Sequence, residues 1–252
     1  MELVDLPSGS PAELLAWDEA FLSEAEHSGI ERIWFWESAT PFVVVGYGQS
    51  IDREVHRHTC KTRGIPILRR CSGGGTVVQG PGCLNYGLTL VTDLQPALQS
   101  VTGTNRHIME RQANALNRLA RGMVVVRGHT DLALIQGDIE LKFSGNAQRR
   151  TRRAILFHGT ILHGMNLDWI SELLPMPVDR PEYRHSRSHK EFLTHFPADP
   201  VSIRTTIAEA WPQNASITPL PWRLREHALL ERYSHADWHE HRKTRNIPGS
   251  PG

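Results

Sequence analysis

Arg69-Arg70-Cys71-Ser72-Gly73-Gly74-Gly75-Thr76 follows the apolar run Ile65 to Leu68, so two guanidinium groups stand beside three successive glycines at the end of a short strand. Glycine lets backbone N–H groups approach an oxygen closely and adopts positive φ without a Cβ clash. Arginine offers a planar fork of donors matched to phosphate or carboxylate. The pattern fits an anion-binding turn, although a glycine run by itself marks a plain tight turn just as often.

Two later stretches shift that balance. Leu141-Lys142-Phe143-Ser144-Gly145-Asn146-Ala147 ends a strand pattern, and Phe157-His158-Gly159-Thr160-Ile161-Leu162-His163-Gly164 again sets polar groups among small residues. The order Arg-Arg-x-Ser-Gly-Gly-Gly, Lys-x-Ser-Gly-x-Ala, His-Gly-Thr resembles the lipoate-protein ligase branch of the biotin/lipoate ligase and octanoyltransferase family. Smaller matches extend the resemblance from Leu14 to about Trp238: Asp18-Glu19-Ala20, Trp36 before Phe42 to Val45, and Gly128-His129-Thr130-Asp131-Leu132.

That resemblance implies an α/β (α+β) fold, with a single catalytic domain over residues 1–240, a mixed sheet and helices packed on one face. It implies no C-terminal accessory domain beyond it. The implied activity is that of a ligase, in which ATP converts lipoate or octanoate to the acyl-adenylate and the acyl group passes to a lysine of a lipoyl-acceptor domain. Two alternatives stay open: an octanoyl or lipoyl transferase drawing on an acyl-carrier-protein thioester through a cysteine, and a non-catalytic lipoate- or acceptor-binding module. ATP, magnesium with it, and lipoate are the implied small molecules, with no metal held by protein ligands alone. The implied partners are lipoyl domains of 2-oxoacid dehydrogenase subunits or a glycine-cleavage H-type protein, and a separate accessory-domain protein.

Residue by residue, the resemblance makes Lys142 the catalytic group that contacts the acyl carboxyl and the nucleotide phosphate. Arg70, Ser72, Gly73, Gly74, Gly75, Thr76, Val77 and Val78 would line the adenylate, with Asp131, His158 and Thr160 beside them and Arg149 near the phosphate. Trp36 ranks first for the acyl slot, ahead of Val44 and Val45. Ligases often carry Asn-Asp where this chain has Thr130-Asp131, which leaves the role of position 130 open.

Composition sets the outer bounds. With 252 residues, 39% of them hydrophobic and 22% charged, the chain can bury one large core or two small ones. The Met1-Glu2-Leu3-Val4-Asp5 start and the lack of a long apolar run predict neither signal peptide nor membrane span, so the cytoplasm is the expected location. Twenty-eight basic against 27 acidic residues give no argument for nucleic-acid binding. Arg149, Arg150, Arg152 and Arg153 form either a solvated face or a basic rim that steers an acidic acceptor. Cys60, Cys71 and Cys83 have neither disulfide nor metal spacing and read as free thiols, with Cys71 and Cys83 the only candidates for a transferase nucleophile. His185, His189 and His235 to His241 lack metal-site spacing and read as surface residues, whereas His158 reads equally as an orienting group or a structural one.

Patterning supplies the elements. Ser10-Pro11-Ala12-Glu13 predicts a helix start, with Leu14, Trp17, Phe21 and Ala25 on one face and Gly29 as its stop. Strands are predicted at Ile30 to Trp36, Phe42 to Val45, Ile65 to Leu68, Thr76 to Val78, Leu84 to Leu90, Val124 to Val126, Leu132 to Ile135 and Ile139 to Phe143, and a helix at Arg106 to Arg121. Alternation over 139–143 puts Glu140 and Lys142 on one face. Asp179 to Phe196 reads as a surface excursion that meets the acceptor, and 241–252 as a disordered tail.

Overall fold

The first long helix is specified at both ends. Ser10 caps α1 (Pro11–Ser28) in a capping box, its side chain accepting from the Glu13 backbone while the Glu13 carboxylate accepts from the Ser10 N–H, and Gly29 closes it at φ 71°. The computed structural model describes residues 1–214 and 218–242, so almost all of the predicted 241–252 tail lies outside the described residues. His241 and Arg242, which are described, end a helix instead.

After β1 (Glu2–Asp5) and α1 come β2 (Arg32–Trp36), β3 (Phe42–Val45), α2 (Ile51–Glu54), α3 (Arg57–Thr62), β4 (Ile67–Arg69), β5 (Val77–Gln79), β6 (Cys83–Val91) and α4 (Val101–Leu116). The chain continues through β7 (Met123–Arg127), β8 (Asp131–Gln136), β9 (Ile139–Arg150), β10 (Ala154–Leu162), α5 (Asp168–Leu173), α6 (His189–Phe192), α7 (Pro200–Glu209), α8 (Trp222–Ala228) and α9 (Ala236–His241). These strands form two sheets. The larger runs β1-β2-β6-β10-β9-β8-β7, with β1 and β2 parallel and the other pairs antiparallel; the smaller runs β4-β3-β5.

Helices pack on both faces of the large sheet, which corrects the one-face expectation. Every residue of β2, Arg-Ile-Trp-Phe-Trp, is buried. Ile33 and Phe35 join Ile108 of α4 and Ile203 and Ile207 of α7 on one side, while Trp34 and Trp36 join Trp17 and Phe21 of α1 on the other. A strand apolar on both faces needs two covers. Beyond α1, the second cover is the small sheet, whose Phe42 and Val44 complete the same cluster.

The predicted helix at Arg106 to Arg121 lies five residues earlier. Ser100 caps it by accepting from the Gly103 N–H, and the Asn117 carboxamide ends it by pairing with both backbone groups of Val124. Strand β9 runs on through the motif to Arg150, and β10 carries the His-Gly-Thr motif; neither extension shows in the sequence because glycine and polar residues interrupt both.

The C-terminal helix docks on β4 through Arg69. The Arg69 N–H donates to His239 Nδ1 at 3.0 Å, its Nε donates to the His239 carbonyl, and its Nη1 donates to the Gly46 and Gln49 carbonyls. Arg69 is therefore a buried clamp and not an anion donor. His239 and His189 are buried, contrary to the surface reading, and each ring accepts a hydrogen bond at Nδ1. Among the described residues no helix is long and apolar enough to cross a membrane.

Burial lowers the pKa of both imidazoles below the ordinary 6.5. The unfolded chain therefore binds more protons as pH falls through 6.5, so this contribution to stability should be fully present well above 6.5 and be lost progressively as pH drops through and below that value. Urea midpoints across this range measure it. His239→Asn, which keeps an acceptor near Nδ1 but cannot titrate, should flatten the profile.

Candidate active site

One cavity of about 750 Å³ lies between the cleft-facing side of the large sheet, the small sheet and the segment from Pro175 to Leu193. Its floor is a single cross-strand rung. Asp131 pairs with Gly145, Gly145 with Thr160, Thr160 with Asn85, and Asn85 with Trp36, so residues from β8, β9, β10, β6 and β2 stand in one row on one face. All five line the cavity. The next rung, Ala147, His158, Gly87 and Trp34, brings His158 to the same face. Gly87 is obligatory there, since a Cβ would lie 2.3 Å from the Trp34 ring.

The glycine turn hangs from Arg70. Its Nε donates to Ser72 Oγ at 3.0 Å and to the Gly73 carbonyl, and its Nη2 donates to the Gly73 and Gly75 carbonyls. Gly74 sits at φ 83°, and a side chain at Gly46 would strike the Gly74 carbonyl at 2.0 Å. Arg70 is buried and forms no ion pair with a carboxylate among the described residues, so burial pushes its pKa down to about 10, with Asp18 opposing that shift from a distance. A buried cation held mainly by carbonyl dipoles leaves positive potential beneath the turn, which favours an anion above it. Arg70, Gly74, Gly75, Thr76, Val77 and Val78 line the cavity, whereas Ser72, which is buried, and Gly73, which is exposed, do not.

Lys142 reaches the cavity because β9 bulges. The pairing of β8 with β9 shifts between Leu132 and Ala133, so Leu132 faces Ser144 and Ala133 faces Lys142. Phe143 joins the core on the far side with Leu132. Strict alternation from Gly145 would have sent Lys142 to that far side; the bulge re-aims it. Its Nζ lies 2.7 Å from Asp131 Oδ1, and Asp131 Oδ2 accepts from the Tyr183 hydroxyl at 2.8 Å. Gly145 gives the ammonium room, since a Cβ there would lie 3.2 Å from Nζ.

Behind this pair, Asn146 ties the strands together. Its amide donates to the Thr130 carbonyl and its carbonyl oxygen accepts from Tyr86, while Thr130 Oγ1 donates to the Asn146 backbone carbonyl. Position 130 thus braces the turn before Asp131. His158 sits between two buried groups, with Nδ1 2.6 Å from Asp18 Oδ2 and Nε2 2.5 Å from Ser72 Oγ.

Arg149 does not line the cavity; its Nη1 lies 3.4 Å from the Cys71 carbonyl, under the glycine turn. Arg150 is also occupied, by Thr104 and the Leu98 carbonyl, so only Arg152 and Arg153 of that run are exposed. Val45 packs away from the slot with Ile51 and Val55. Asn85, Leu162, Ile170, Leu174 and Phe192 line the cavity without having been anticipated, and Asp179 to Phe196, exposed along much of its length, also forms part of its wall. Arg184 and Arg187 flank the Phe192 ring at 4.7 and 5.1 Å, which holds that wall together. Asn85 and Leu162 lie in stretches already singled out, but nothing local marks them as cavity residues, and Ile170, Leu174 and Phe192 come singly from distant segments. All three cysteines are buried free thiols, and none lines the cavity.

The chain is similar in sequence and fold to several known proteins. Octanoyltransferase LipM of Brevibacillus brevis is 26% identical over 91% of this chain and 94% of its own length. A bi-partite lipoate protein ligase of Thermoplasma acidophilum, solved in a study that included its E2 lipoyl domain, superposes with a TM-score of 0.80 at 22% identity over 98% of both chains. A lipoate-protein ligase A bound with ATP superposes at 0.72 and 23% identity over 95% of this chain and 97% of that one. These two likenesses show the fold. The chain spans 94% and 96% of two octanoyltransferases but 54% and 61% of two ligases among its curated relatives. The family model described as the lipoyl protein ligase A/B catalytic domain matches residues 10–203, which include the glycine turn, Lys142 and His158, and the chain therefore belongs to that enzyme family.

Proposed function

We propose that this enzyme is the ligase of the two: it activates lipoate, or octanoate, with MgATP and transfers the acyl group to a lysine of a lipoyl-acceptor domain. One observation carries the choice. A cysteine-based transferase needs a thiolate in the cleft, and Cys60, Cys71 and Cys83 are all buried outside it, with thiol pKa values raised by desolvation. An acyl-adenylate route needs no such nucleophile. It needs an anion site beside an ammonium, which Arg70, the glycine turn and Lys142 supply.

In this reading the lipoate carboxylate attacks the α-phosphorus of ATP, the bond to pyrophosphate breaks, and a mixed anhydride forms. Lys142 bridges the acyl carboxyl and the α-phosphate, offsetting the repulsion between two anions. The unprotonated acceptor amine then attacks the acyl carbon, AMP leaves with the bonding electrons, and the nitrogen loses its extra proton to solvent. Asp131 holds the ammonium in place until substrate anions share it. Trp36, Val44 and Val77 form the apolar slot for the acyl chain. Magnesium belongs to the ATP substrate, held by its phosphate oxygens. A separate accessory-domain protein, as in a bi-partite ligase, is a proposed partner. The second reading, an octanoyltransferase, is supported by two relatives of that name that match this chain along 94% and 96% of their own length, and it requires a nucleophile other than these thiols.

The deciding experiment follows the mass of an apo lipoyl domain incubated with the enzyme and either lipoate plus MgATP or an octanoyl-carrier-protein thioester, each with and without an accessory-domain protein. Gain with lipoate and ATP supports the ligase; gain only from the thioester overturns it in favour of the transferase. Lys142→Ala should lower turnover about 10²- to 10³-fold, the usual loss when a donor aimed at developing charge is removed. Gly145→Ala should slow adenylate formation while leaving the melting temperature nearly unchanged, because the added methyl crowds the end of the Lys142 side chain and otherwise meets only Asp131 Oδ1 at ordinary contact distance. Cys71→Ala and Cys83→Ala should keep wild-type turnover with ATP, measured by pyrophosphate release.

A further inference from the structure

Asp18, His158 and Ser72 form a continuous hydrogen-bonded row that ends on Arg70. Its proton order follows from donor chemistry. The Asp18 carboxylate only accepts, so the imidazole proton resides on Nδ1, 2.6 Å from Oδ2. With the proton of a single-protonated ring on Nδ1, Nε2 is left to accept, and the Ser72 hydroxyl, 2.5 Å away, donates to it. Its oxygen remains free to accept from Arg70 Nε at 3.0 Å. The second Asp18 oxygen accepts from Trp34 Nε1 at 3.2 Å, which fixes the carboxylate.

A row of aspartate, histidine and serine is the arrangement of a nucleophilic triad, but here the hydroxyl cannot act as one. Ser72 is buried, does not line the cavity, and its oxygen is covered by the imidazole on one side and the guanidinium on the other. What the row does control is direction. Arg70 donates through Nε and Nη2 to the Gly73 and Gly75 carbonyls, so the orientation of its guanidinium plane sets the turn that presents N–H groups to the cavity.

We propose that Asp18 and Ser72 are positioning residues: Asp18 acts through the His158 ring on Ser72, and Ser72, in direct contact with the guanidinium, aims Arg70 and so shapes the glycine turn for the nucleotide phosphates. This inference rests on the ligase reading for the identity of the anion. Asp18→Asn is nearly isosteric but places an amide against Nδ1, which reverses the tautomer and leaves the Ser72 hydroxyl with no acceptor at Nε2. A residue that merely supported the fold would lower the active fraction and the melting temperature and leave KM alone.

The test combines ¹⁵N NMR of the histidine rings with steady-state kinetics of pyrophosphate release. The wild-type His158 should be protonated at Nδ1, and in Asp18→Asn at Nε2. Asp18→Asn and Ser72→Ala should each raise KM for MgATP about tenfold, the equivalent of one hydrogen bond to a charged group, with KM for lipoate unchanged. The double variant should be no worse than either single one, because both break the same row. Additive effects, a loss confined to kcat and melting temperature, or a wild-type ring protonated at Nε2 would overturn the proposal. If the wild type forms no adenylate, the ligase reading fails, and the tautomer measurement alone still decides whether Asp18 sets the proton order.

Discussion

The central sheet must bury both faces, and on one of them no helix is long enough to cover it all. Helix α1 shields the Trp34 end of β2, where the tryptophan ring fills the space left by Gly87. Farther along the same strands that cover ends, and the three-stranded sheet takes over at a distance that leaves a cavity. The rung from Asp131 to Trp36 is the uncovered row. The cleft is thus what remains when one apolar face is closed by two unlike covers, and the polar residues in the row can stand there only because the row faces that gap.

Within this frame, local irregularities choose which groups face inward. The doubled step at Phe143 and Ser144 keeps the phenyl ring in the core and turns Lys142 to the opposite side. Such a bulge would weaken a plain strand, and it is stabilised here by Thr194 and Leu193, which pair with the Lys142 backbone where β10 has already ended. Arg70 supplies the other irregularity. Its donors replace the ladder bonds that a turn rich in glycine lacks, so one buried side chain does the work of several backbone contacts.

Much of the candidate site was legible in sequence, for identifiable reasons. Gly73 to Gly75, Lys142 and Gly145, and His158 and Gly159 lie in compact motifs, because each is a place where backbone and polar groups must approach closely and only a few residue types allow it. The ends of α1 were equally legible, since a capping box is a local device. Less visible were contributions made one residue at a time. Tyr183 comes from a segment with no periodic signal and Asn85 from an otherwise ordinary strand, and they acquire meaning only beside Asp131 and Thr160. Arg69 illustrates the opposite case: its place beside Arg70 invited a shared role, but tertiary contacts with His239 assign it to the fold. The second sheet was hidden because three-residue strands such as β4 and β5 carry too little pattern to declare a partner.

Gly159 and Asn146 interlock more tightly than any other pair in the cleft region. The Asn146 carboxamide oxygen occupies a point 1.6 Å from where a Cβ on residue 159 would sit. Neither position can therefore drift alone in an evolving lineage. A larger residue at 159 becomes admissible only after 146 has shrunk, and shrinking 146 first unties Thr130 and Tyr86. Any path between the two states passes through an intermediate that has lost the brace under Asp131. Residues 146 and 159 thus form a lock in which each fixes what the other can be.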